Sequence, residues 1–96
     1  MINRIVLFRF KPGVSDESIE KTLEMPKNWK GNIKELNDIV VKRNLMDRNA
    51  SNYHAVLVMS FQTAQDIDIF AEHELHKQFV DIVVGQTEDI QVFDYQ

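Results

Sequence analysis

The sequence predicts an α+β fold in which four strands and two helical regions follow one another as β-α-β-β-α-β. Three observations carry this reading. The segments IVLF at 5–8 and AVLVM at 55–59 are apolar at both parities and rich in β-branched residues, the pattern of strands covered on both faces. Two other segments open on a helix-capping residue, Ser15 and Thr63, and continue with apolar residues at helical spacing. Shorter apolar runs at 39–41 and 90–95 supply the second and fourth strands.

Taken in order, residues 2 to 10 form the first strand, and Lys11-Pro12-Gly13 turns the chain. Ser15 then caps a helix whose first turn carries Asp16 and Glu17, where negative charge suits the free N–H groups. Ile19 and Leu23 lie on its apolar stripe, and Pro26 ends or kinks it near Met25. Trp29 and Ile33 suggest that helix resumes. The second strand is followed by a polar loop at 47–52, expected to be mobile, and the third strand runs from 53 to 61. The second helical region runs from Thr63 to a stop at Gly85, with a break near His73. This order is the split βαβ arrangement of ferredoxin-like domains, with the helices on one face of a four-stranded antiparallel sheet.

Composition limits what such a chain does. Its 96 residues, 44% of them hydrophobic, suit one domain over 1–96. A net charge of −4 with scattered acidic residues argues against nucleic acid and against an anionic membrane surface as partners. The absence of cysteine removes disulfides, thiol nucleophiles and thiolate metal sites. No apolar run approaches a membrane span and no cleavage signal follows the N-terminus, so a soluble, unprocessed protein is expected, with the cytoplasm as the default location.

The two-sided strands also imply a partner. Helices cover one face of the sheet, and no further element remains to cover the other. An open apolar face of several large side chains is rarely tolerated by a soluble monomer. A second copy, packed sheet to sheet about a two-fold axis, needs only one self-complementary surface, so a homodimer is expected.

The segments IVLFRFKPGVS, Arg43-Asn44-Leu45, YHAVLVMSF, AEHELHKQF and VFDYQ, in that order, make the chain resemble the stress-responsive dimeric α/β barrel family, the Dabb domain. The resemblance covers nearly the whole chain. It implies a ferredoxin-like subunit whose sheet pairs with that of a second chain to close a barrel. It also implies a comparison with a plant polyketide cyclase of the family, in which a histidine acts as base beside a helix tyrosine. The base matches His76, whereas the tyrosine matches Phe70, which has no hydroxyl. Two further pocket histidines of that enzyme fall on Arg4 and Ala55.

His76 is therefore the candidate general base, since imidazole titrates near neutrality. Arg4, which shares strand parity with Val6 and Phe8, is the candidate partner for an anion or a carbonyl. Val6, Phe8, Leu23, Leu57, Met59, Phe70, His73 and Phe79 are the candidate ligand-binding residues, with Met25 beside them; the same residues also suit a plain core. His73, at the helix break, equally suits the capping of free backbone groups. His54 lies one position out of phase with the cyclase pocket and is expected at the surface or an interface. His73 and His76 are spaced i, i+3, whereas helical zinc pairs are commonly i, i+4 and need a third ligand, so no metal site is expected. No cofactor is assigned.

Three functions follow: a homodimer binding a small hydrophobic or aromatic compound, a polyketide cyclase-like lyase using His76, or a haem-degrading or cofactor-free monooxygenase as found in the wider superfamily.

Overall fold

The computed structural model describes residues 1–46 and 52–96. The polar loop expected at 47–52, and its expected mobility, fall outside the described residues except for Asn52. Strands β1 (Ile2–Phe10), β2 (Asp38–Arg43), β3 (Ala55–Phe61) and β4 (Thr87–Tyr95) form one sheet in the order β2-β3-β1-β4. Every neighbouring pair is antiparallel. Helices α1 (Asp16–Glu24), α2 (Ala64–Glu72) and α3 (Glu74–Gln86) lie on one face. This is the ferredoxin-like arrangement.

The local signals explain most boundaries. Lys11 to Val14 closes a turn through the Val14 N–H and Lys11 carbonyl (3.2 Å), with Pro12 second and Gly13 third at φ 92°, a backbone angle that needs glycine. The Ser15 hydroxyl accepts from the Ser18 N–H at 3.1 Å, and the Thr63 hydroxyl accepts from the Asp66 N–H at 3.1 Å. Loss of such a cap costs about 1 kcal/mol. At the break between α2 and α3, His73 adopts an extended backbone and its Nδ1 accepts from the Leu75 N–H at 3.1 Å.

Four boundaries differ from expectation, the simplest being β3, which starts at Ala55 rather than Tyr53 because the β1 ladder ends at the Phe8–Ala55 pair. Helix does not resume after Pro26: a short 3-10 turn (Pro26–Asn28) gives way to turns, because Gly31 sits at φ 85°. Trp29 and Ile33 are buried through turn packing, with the Ile33 N–H reaching the Trp29 carbonyl at 2.8 Å. Gly85 does not stop α3, which runs one residue further; Thr87 turns the chain in extended conformation while its hydroxyl donates to the Val83 carbonyl at 2.9 Å. Strand β4 starts there, three residues earlier than the sequence suggests, because β1 offers a ladder as far as Phe10, opposite Thr87.

Alternation along β1 separates two surfaces. Val6, Phe8 and Phe10 are buried beneath the helices with Leu57, Met59 and Phe61 of β3. Trp29, Phe61, Phe70 and Phe79 join them in an aromatic cluster whose ring centroids lie 5.1 to 5.5 Å apart. Edge-to-face pairs of this kind add about 0.5–1.5 kcal/mol each beyond burial. The opposite parity, Ile5 and Leu7 with Val56, Val58, Val40 and Phe93, faces away from the helices. Phe93 is 64% exposed there.

Candidate functional site

Between the helix-facing side of the sheet and helices α2 and α3 lies a cavity of about 280 Å³. Val6 and Phe8 of β1 and Leu57 and Met59 of β3 form its floor, while Phe70 and Phe79 come from the helices. Trp29 closes one side and His76 and Arg4 supply its polar groups. Val84 and Val92 line it while remaining 57% and 53% exposed, which places its mouth between α3 and β4.

Helix α3 positions His76 in its first turn, where the break at His73 redirects the chain. The His76 Nδ1 lies 3.1 Å from the Ala71 carbonyl oxygen. A carbonyl only accepts, so Nδ1 carries the proton and the neutral ring keeps its lone pair on Nε2. The Nε2 atom has no hydrogen bond among the described residues. Phe70 packs on the ring at a centroid distance of 4.4 Å and Trp29 at 5.7 Å. Burial holds the His76 pKa below the usual value for histidine; the Ala71 contact opposes this and the Arg4 charge adds to it. The result is a neutral, oriented base against an apolar space.

Arg4 is not a lone cation. Register places it opposite Asp94 of β4, and its Nε and Nη2 donate to the two carboxylate oxygens at 2.8 and 3.0 Å. The arginine side chain is 24% exposed and that of Asp94 41%. The guanidinium holds the Asp94 carboxyl below its usual pKa, with partial burial opposing. Protein, rather than ligand, thus supplies the anion that an inward-facing arginine needs.

Other candidates lie elsewhere. Leu23 is core, outside the cavity lining, because it faces inward from α1. His73 is also outside the lining, its ring turned to the backbone of α3. Met25 borders a separate groove with Thr22 and Ile82. His54 does not line the cavity: its Nδ1 accepts from the Phe10 N–H at 2.8 Å and prolongs the β1–β3 contact past the ladder. Among the described residues, no group of three or more potential metal ligands comes together. No helix among them is long and apolar enough to cross a membrane.

Sequence reasoning missed the far wall, Val80, Val83, Val84, Ile90 and Val92, and it missed Asp94. Two signals were available. From His76, positions 79, 80, 83 and 84 form one helical stripe, and 90, 92 and 94 share one strand parity.

Comparison with known structures agrees with this architecture. A crystal structure of an Arabidopsis thaliana protein aligns with 22% identity and a TM-score of 0.84, covering 100% of this chain and 94% of that one. A dimeric ferredoxin-like protein from Bacteroides fragilis aligns with 21% identity and a TM-score of 0.87, covering 99% and 94%. The hydroxynitrile lyase of Passiflora edulis aligns with 18% identity and a TM-score of 0.84, covering 98% and 90%. At these identities the likeness concerns the fold. No curated protein matches the sequence significantly. The family model for the stress responsive A/B barrel domain matches residues 2–96, and the chain belongs to that family, Dabb.

Proposed function

We propose that the protein works as a homodimer, one domain per chain, each subunit holding a small hydrophobic or aromatic compound in the cavity against His76. The observation that carries this is the pairing of an apolar cavity with an oriented basic nitrogen, His76 Nε2, that has no hydrogen-bond partner among the described residues. Apolar walls with few placed polar groups are what small-molecule sites commonly have. A compound with an apolar body and one hydrogen-bond donor fills such a space and satisfies Nε2. The cytoplasm is the location that accompanies this reading.

The dimer is supported by the sheet's open face. Ile5, Val58, Val40 and Phe93 form one row across the four strands, flanked by Leu7 and Val56 in the next. Asp38, Ser60 and Asn3 border this band on one side and Arg9 and Asp89 on the other. An apolar centre with a polar rim is the anatomy of a protein interface, and the Bacteroides fragilis relative is a dimeric protein.

A lyase or cyclase-like reaction is the second reading, favoured by the state of His76. A neutral imidazole with a free Nε2 is fit to take a proton from a bound C–H or O–H acid. The experiment is a titration of the purified protein with 2-naphthol. Trp29, the one tryptophan of the chain, lines the cavity, so its fluorescence reports occupancy. Saturable quenching in wild type that weakens in His76→Ala supports the binding reading, and identical curves for both proteins reject it. For the catalytic reading, His76→Ala must abolish turnover of any surrogate the wild type converts while leaving the dimer intact.

A further inference from the structure

We infer that Asp94 is a specificity-determining residue that commits the cavity to neutral, oxygen-bearing compounds and against carboxylates. The inference rests on the cavity being a ligand site. It starts from the two edges of the Arg4 guanidinium. Asp94 occupies the edge made by Nε and Nη2 with a two-point contact. The edge made by Nη1 and the second N–H of Nη2 has no hydrogen bond among the described residues. Guanidinium is planar and its donors are fixed in a fork, so holding one edge fixes the direction of the other. Asp94 thus acts as a positioning residue, and Arg4 lines the cavity as an oriented donor.

Charge then decides what the donor accepts. Arg4 and Asp94 together carry no net charge, and His76 is neutral in the folded protein. A carboxylate entering this group leaves one uncompensated negative charge against walls built from Val6, Phe8, Trp29 and Phe79. A neutral carbonyl or amide oxygen accepts from the free edge of Arg4 without that cost. The second hydrogen-bonding group of such a compound, if it is a donor, meets the lone pair of His76 Nε2. The site therefore favours a ligand with an apolar body and a neutral acceptor, and Asp94 sets the preference without touching the ligand.

Asp94 lies in the family segment VFDYQ, but that segment alone does not mark this role. Asp94 sits on an edge strand, where an acidic residue ordinarily reads as a solvated rim. Only the antiparallel register that sets it opposite Arg4 gives it a function.

The test compares two ligands of one shape, 2-naphthamide and 2-naphthoate, titrated into isotope-labelled protein and followed by amide chemical shifts. In the wild type the amide is expected to bind about tenfold or more tighter than the carboxylate, the scale of one uncompensated, partly desolvated charge. In Asp94→Asn, which keeps the side chain's size and removes its charge, the gap is expected to close by about tenfold or to invert. Equal or tighter binding of the carboxylate by wild type overturns the inference, as does an Asp94→Asn variant that shifts both ligands alike. The wild-type comparison stands even if the variant folds poorly. Binding of neither ligand overturns the cavity reading itself, and the inference with it, which separates that failure from a wrong selectivity.

Discussion

Neighbouring residues of β1 serve two different surfaces. Val6 and Phe8 are buried under the helices, whereas Ile5 and Leu7, equally apolar, face outward with only the rest of the open sheet beside them. The covered side holds the aromatic cluster, the cavity and the oriented His76. The open side holds a plain apolar band with charged residues kept to its rim. The difference teaches that hydrophobicity on the two sides of one strand has two origins: the core and its cavity on one side, and on the other the association proposed above.

This division can be broken by changing one side at a time. Leu7→Asp should have the largest effect and leave the fold in place. Each copy forfeits about 1.5–3 kcal/mol of side-chain burial, so the dimer loses about 3–6 kcal/mol, before the cost of desolvating the new carboxylate. Sedimentation should show a folded monomer; an unchanged dimer would mean that this face is not the interface. Phe8→Ala, one residue along, should act inversely. Removing a ring that is 2% exposed costs about 3–5 kcal/mol, read as an earlier urea midpoint at fixed protein concentration. If the folded fraction of Phe8→Ala also failed to dimerise, the two surfaces would not be independent.

How much of this was legible in the sequence follows from the range of the interactions. The caps at Ser15 and Thr63 and the break at His73 are local, and each is marked by its own side chain. Both parities of β1 and β3 announced apolar side chains on both faces of the sheet, and the helices cover one of those faces. Trp29 and Ile33 misled, because their spacing imitates a helix while Gly31 at positive φ and Pro26 prevent one. Gly85 misled because a glycine near a helix end ordinarily stops it, yet the β1 ladder and the Thr87 hydroxyl set the boundary here. His76 and Arg4 were named from parity and resemblance, but the pairing of Arg4 with Asp94 depends on a register between residues at opposite ends of the chain. Local pattern cannot supply that register.

Acid should reveal the covered side selectively. The His76 pKa is lowered by burial, so from about pH 6.5 downward the unfolded chain takes up a proton on this ring before the folded protein does. Its contribution to stability is therefore fully present above the unfolded value and is lost as the pH falls through the folded one. The difference in denaturation free energy between wild type and His76→Gln, followed from about pH 7.5 to 5, should change with that sign. A flat difference would mean that the ring is as well solvated folded as unfolded, and a base against an apolar cavity would have to be given up.

The smallest expected effect sharpens the comparison most. Arg4 is the charged residue on the helix-facing side of β1, and its pair with Asp94 is partly solvated at 24% and 41% exposure. Ion pairs of that kind contribute about 0–1 kcal/mol to folding. Arg4→Met keeps the apolar stem that packs beside Val6 and removes the fork, so thermal or urea denaturation should move little. The same change deletes the oriented donor of the cavity and should weaken binding of 2-naphthamide while leaving naphthalene itself unaffected. A stability loss well above about 1 kcal/mol, beyond the range for such pairs, would make the Arg4–Asp94 contact a strut that ties β4 to β1. The covered face would then be core throughout, with the cavity merely a gap in its packing. A small loss of stability with a selective loss of amide binding assigns Arg4 to the ligand, because a side chain that contributes little to folding then has its consequence in recognition.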